Sequence, residues 1–88
     1  MSIKANIPPI FHSSTNGVKT AEVNGSTVDE CLKYLMELFP KLELFDKDGE
    51  LASYLGIHVN GVNAYPEELK KPVKDGDELS IILMISGG

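Results

Sequence analysis

The chain contains no tryptophan and no arginine, and only one cysteine among its 88 residues. Each absence removes a class of function. Without arginine there is no planar guanidinium fork to grip phosphates or base edges bidentately. The eight basic residues are all lysines, and a net charge of −5 is the wrong field for nucleic acid. A single cysteine, Cys31, makes neither an intrachain disulfide nor a metal cluster. An iron–sulfur ferredoxin, which needs four, is excluded for the same reason. No apolar run approaches the roughly 20 residues of a membrane span. The opening Met-Ser-Ile-Lys-Ala has no signal-peptide architecture. The expectation is a soluble, cytoplasmic protein with no nucleic-acid and no membrane partner.

What is present is ordinary globular material. A 42% hydrophobic, 24% charged composition is not that of a disordered chain. The length allows one small domain, near the limit at which a single core suffices. The acidic balance suits plain solubility, or steering toward a basic protein surface.

Patterning divides the chain into short elements. Ile3, Ala5 and Ile7 alternate with Lys4 and Asn6, which predicts a half-buried strand over 2–7. Pro8-Pro9 stops it. A loop from Ile10 ends in the turn signal Asn16-Gly17, and a second strand follows from Val18 to Val23. Thr27 with Glu30 three residues later forms a capping box, and Asp29 and Glu30 suit the positive end of a helix dipole. Val28, Cys31, Leu32, Leu35, Leu38 and Phe39 then recur on one helical face, with Asp29, Glu30, Lys33 and Glu37 opposite. Pro40 ends the helix. Asp46 to Gly49 reads as a turn, and Ile57–Asn60 and Val62–Ala64 read as a hairpin around Asn60-Gly61. One helical turn is expected over Pro66–Leu69, a tight turn at Lys74–Asp77, and a dense strand from Glu78 to Ile85. The order predicts an α+β domain: a mixed sheet crossed by one main helix, the first and last strands parallel at its centre.

The dense last strand runs directly into Ser86-Gly87-Gly88. At average glycine usage of about 7%, a Gly-Gly ending arises by composition roughly once in two hundred chains. A folded domain (1–85) delivering its carboxylate on a flexible tail (86–88) that ends in two glycines without side chains suggests that the carboxylate is the working group. A frayed terminus is the plainer alternative.

Four stretches carry a family resemblance: Ile7-Pro8, Val59-Asn60-Gly61, Asp75-Gly76-Asp77-Glu78-Leu79 and Ser86-Gly87-Gly88. In these, and in its order of elements, the chain resembles the ubiquitin-like sulfur carriers of the ThiS and MoaD type. The segment Ile7-Pro-Pro-Ile-Phe-His12 is most similar to the branch serving cysteine biosynthesis, and the length to MoaD-like members. The resemblance implies a β-grasp fold and a carrier that is no enzyme itself. An ATP-dependent activating enzyme adenylates the terminal carboxylate of Gly88, and a sulfur donor displaces AMP to leave a thiocarboxylate. A sulfur-accepting synthase consumes it in cysteine, molybdopterin or thiamin synthesis. The carrier binds no cofactor, ATP being used by the partner, and is expected to be a monomer when free.

Glycine suits such a tail because it has no side chain to clash with a narrow channel and tolerates any backbone angle imposed there. Extended, Ser86 to Gly88 reach roughly 10 Å beyond the fold. Gly88 is the expected reacting residue, with Gly87 and Ser86 giving access. A partner-binding patch is expected where Ile82 and Met84, on one face of the last strand, join Ile10 or Phe11. Leu79, Ile81, Leu83 and Ile85 share the other face.

Other chemistry is thinly supported. Cys31 lies on the apolar helix face, where a free thiol behaves as a small hydrophobe. His12 and His58 lack companions for a metal, and Asp46, Asp48 and Glu50 lack the rest of a calcium loop. Two functions share the fold and first step: the sulfur carrier, and a ubiquitin-like modifier joined to lysines of other proteins. The ending at the diglycine, without an arginine before it, leans toward sulfur. A plain interaction module with an idle tail is the third reading.

Overall fold

A computed structural model describes residues Ser2–Met84. The expected strand end at Ile85 and the tail residues Ser86, Gly87 and Gly88 lie outside the described residues. Five strands form one mixed sheet in the order β2-β1-β5-β3-β4. They are β1 (Ile3–Asn6), β2 (Thr20–Val23), β3 (Leu55–Val59), β4 (Val62–Asn63) and β5 (Glu78–Leu83). The helix α1 (Val28–Leu38) lies between β2 and β3 in sequence. Strands β1 and β5 pair in parallel, with Ala5 opposite Leu79, and β5 pairs antiparallel with β3, with Ile57 opposite Ile81. This is the expected β-grasp arrangement, with the last strand at the centre.

The core forms where the alternating strand faces meet the apolar stripe of α1. Ile3, Ala5 and Ile7 of the first strand region are buried, as are Leu79 and Ile81 of β5 and Leu55, Ile57 and Val59 of β3. From α1, Val28, Cys31, Leu32 and Leu35 are almost wholly excluded from water. Burying each large aliphatic side chain contributes roughly 1.5–3 kcal/mol, so this stripe holds the helix on the sheet. Leu38 departs from the expected face and is 47% exposed. It is the last residue of α1, where the backbone leaves helical geometry at Phe39, and Phe39 packs against the core instead.

The helix start follows the sequence with one change. The Thr27 hydroxyl accepts from the Glu30 amide at 3.2 Å. The Glu30 carboxylate, however, reaches past the cap to the Ser26 amide at 2.8 Å and the Ser26 hydroxyl at 2.9 Å. Those bonds hold the Glu30 carboxyl below its ordinary pKa. The expected helical turn at Pro66–Leu69 falls slightly later, as a 3-10 turn at Glu68–Lys70.

Candidate functional site

The face of the sheet turned away from α1 carries Glu78, Ser80 and Ile82 of β5, because alternate residues project to opposite sides. Its character changes along the strand. At the start of β5 it is polar: the Asn6 side-chain amide donates to Glu78 Oε2 at 2.6 Å and to Ser80 Oγ at 3.0 Å. Ser80 stands opposite His58 of β3. Toward the end of β5 it becomes apolar. Ile82, half-buried, stands opposite Gly56, and Met84 beyond it is 52% exposed. The Met84 amide donates to the Tyr54 carbonyl at 2.7 Å, so the sheet still holds the chain at that residue. The parallel pairing of β1 with β5 sets their C-terminal ends at the same end of the sheet. Ile10, 51% exposed, follows β1 there.

Three of the four expected patch residues, Ile10, Ile82 and Met84, therefore sit at the end of the sheet from which the chain runs toward its tail. Phe11 does not belong with them. It is 8% exposed and part of the core. Pro8-Pro9 leads into a 3-10 turn over Pro9–Phe11, closed by the Phe11 amide on the Pro8 carbonyl at 3.0 Å, and the turn carries the ring inward. Gly56 and Tyr54 escaped the sequence reading, which began this strand at Ile57. A glycine just upstream of that strand was the available signal.

The start of β5 is fixed by side chains. Asn60, at φ +53°, and Gly61, at φ +80°, make the β3–β4 turn, and Gly76 at φ +91° makes the turn before β5. The Asn60 amide nitrogen donates to Asp77 Oδ1 at 3.0 Å, and its carbonyl accepts from the Glu78 amide at 2.9 Å. Asp77 Oδ2 accepts from the Lys74 amide at 2.9 Å. The Asn60 bond first, and the Lys74 amide second, hold the Asp77 carboxyl below its ordinary pKa. Two turns distant in sequence are thereby tied together, fixing the register of β5 and where its far end emerges.

The other chemistry-bearing residues are spent on structure. The Cys31 thiol is 1% exposed, and burial, with the nearby Glu30 charge second, pushes its pKa up to about 11. It is a poor nucleophile in that state. His12 Nε2 lies 2.9 Å from the Ile7 carbonyl, an acceptor only, so that nitrogen carries the proton. Asp46 Oδ1 accepts from the amides of Asp48 and Glu50 within its own turn. Among the described residues no group of three or more His, Cys, Asp or Glu is placed to hold a metal ion. Two shallow grooves of about 410 and 480 Å³ lie around Lys4 and Glu22 and around Val62 and Lys71, at the polar end of the sheet.

The fold and the graded sheet face define a ubiquitin-like β-grasp protein, and comparison with known proteins narrows the class. Residues 12–88 match the model of the ThiS family. A protein of Archaeoglobus fulgidus, described as a candidate sulfur carrier protein, is 35% identical over the whole of both chains. A chain of the Amycolatopsis orientalis BexX/CysO complex is 28% identical with a TM-score of 0.86, covering 98% of this chain and 99% of that one. SAMP1 of Haloferax volcanii, a small archaeal modifier protein, is 29% identical over all of both chains with a TM-score of 0.81. The chain belongs to the ThiS family, whose sulfur-carrier members are small protein carriers and not catalysts. Among the described residues no helix is long and apolar enough to cross a membrane.

Proposed function

We propose that this protein carries sulfur on the carboxylate of Gly88, the last residue of the 86–88 tail. The observation that carries the reading is the apolar end of the open sheet face, Ile82 and Met84, at the point where β5 leads toward that tail. Family membership supports it. A carboxylate oxygen attacks the α-phosphorus of ATP in the activating enzyme, and pyrophosphate leaves. Sulfur at the sulfide level from a donor attacks the acyl carbon. AMP departs with the bonding electron pair, and a thiocarboxylate remains for a sulfur-accepting synthase. The nucleotide site and the acid–base groups belong to the partner. The carrier contributes a slender substrate and a surface to dock it.

The test is intact mass after incubation with ATP, the activating enzyme and a sulfur donor. The expected result is replacement of one oxygen by sulfur, abolished by one extra C-terminal residue and weakened by Gly87→Val in a protein that still folds. Normal thiocarboxylate formation by both variants would refute the reading. The likeness to SAMP1 favours a second reading, a modifier conjugated to lysines through the same terminus. Lysine-linked conjugates in native cells, with the unconjugated protein at its unmodified mass, would select it.

A further inference from the structure

Gly56 has no conformational reason to be glycine. It lies inside β3, pairs with Ile82, and is absent from the positive-φ positions that require a missing side chain. Glycine in a strand interior weakens the strand, and its presence there marks a place where something approaches closely. Here that neighbour is Met84. A β-carbon on residue 56 would stand 2.8 Å from Met84 Sδ, 3.0 Å from its Cγ and 3.9 Å from its Cε. These are the three nearest atoms, and all belong to one side chain. The Met84 thioether therefore lies folded across the sheet, in the space a side chain at position 56 would fill. Gly56 is buried beneath it, while Met84 itself stays half exposed.

We propose that Gly56 is a positioning residue of the docking surface: its missing side chain is the seat that holds Met84 down on the sheet. The seated Met84, beside Ile82, forms a flat apolar floor at the root of the tail. The occupant of that floor is the apolar rim of the activating enzyme's tail slot, because Gly88 stands only four residues beyond Met84 in the sequence. The inference rests on the sulfur-carrier reading. Methionine suits the place because its unbranched, polarisable side chain lies flat and adapts to a partner. With the Met84 amide tied to Tyr54, only the side chain is free to move when the seat is filled. Gly56→Ala should therefore fold normally and turn the thioether out into the path of the partner.

The experiment joins a structural and a kinetic readout. In the wild-type protein the Met84 ε-methyl should show a nuclear Overhauser contact to the Gly56 α-protons, and no such contact overturns the seat. Adenylation is followed by exchange of radiolabelled pyrophosphate into ATP with the activating enzyme. Gly56→Ala is expected to keep its melting temperature while KM for the carrier rises about five- to tenfold at unchanged kcat, the size of a modest interface anchor. Met84→Ala should raise KM similarly, and the double variant should be no worse than Met84→Ala alone. An unchanged KM in Gly56→Ala, effects that multiply in the double variant, or a Gly56→Ala protein that unfolds each overturn the proposal. A wild-type protein that supports no exchange overturns the sulfur-carrier reading itself, and the methyl contact then judges the seat alone.

Discussion

Leu79 and Ile82 lie on the same strand and face opposite ways, so truncating each to alanine separates stability from docking. Leu79 is wholly buried, between Ala5 of β1 and Val59 of β3 in register, on the face that meets the core. Removing three of its carbons leaves a cavity that neighbours hydrogen-bonded on both sides close poorly. Leu79→Ala should cost about 2–5 kcal/mol. A chain of this length has a total stability of roughly 4–13 kcal/mol, so this is a large fraction of it. The melting temperature should fall by roughly 10–30 °C. Ile82 is only half-buried on the open face. Full burial of an isoleucine is worth about 1.5–3 kcal/mol, so Ile82→Ala should cost about 1 kcal/mol and leave no closed cavity. Its effect should appear in KM for the activating enzyme. Urea titration followed by far-ultraviolet circular dichroism, with the slope m checked for constancy, gives the stabilities. Equal losses for the two variants would show that both faces are core, and would sink the argument that this end of the sheet is a docking surface.

Two further outcomes test the environments of titratable groups. The Asp77 pKa is depressed in the folded state, so its bonds to Asn60 and the Lys74 amide stabilise the fold above the ordinary carboxylate value of 3.8. That stability is lost as the pH falls through the lower folded value. Asp77→Asn should therefore be less stable than the wild type at neutral pH and lose less on acidification, and parallel stability–pH curves would contradict this. The Cys31 thiol, raised to about 11 and buried, should resist iodoacetamide at neutral pH and react only when denaturant is added. Labelling of the folded protein as fast as a free thiol would refute its placement in the core.

Much of the architecture was legible in local pattern. The Thr27 cap, the buried stripe of α1, the alternation of β1 and β5, and the glycine turns at Gly61 and Gly76 all depend on residues a few positions apart. Each matches the structure. The departures have local causes that only the surrounding fold reveals. Of the two residues offered to join Ile82 and Met84 in the patch, Ile10 or Phe11, a 3-10 turn after Pro8-Pro9 carries Phe11 into the core. Leu38 has helical spacing, yet the helix ends there and Phe39 takes the inward place. The Glu30 carboxylate finds the Ser26 amide because the chain approaching the helix passes within its reach.

Sequence alone determined the kinds of element, their order, the two faces of the final strand and the residues at the tail. Periodicity, capping and turn chemistry act over a few residues and are written in the chain. The tertiary structure decided the register of the strands, that β3 is the second neighbour of β5, and that Met84 lies over Gly56. Those depend on pairings between distant segments, whose register is set by burial of the whole core and by bonds such as Asn60 to Asp77. A glycine in the sequence marks only a missing side chain; what occupies the space is settled when the strands come together.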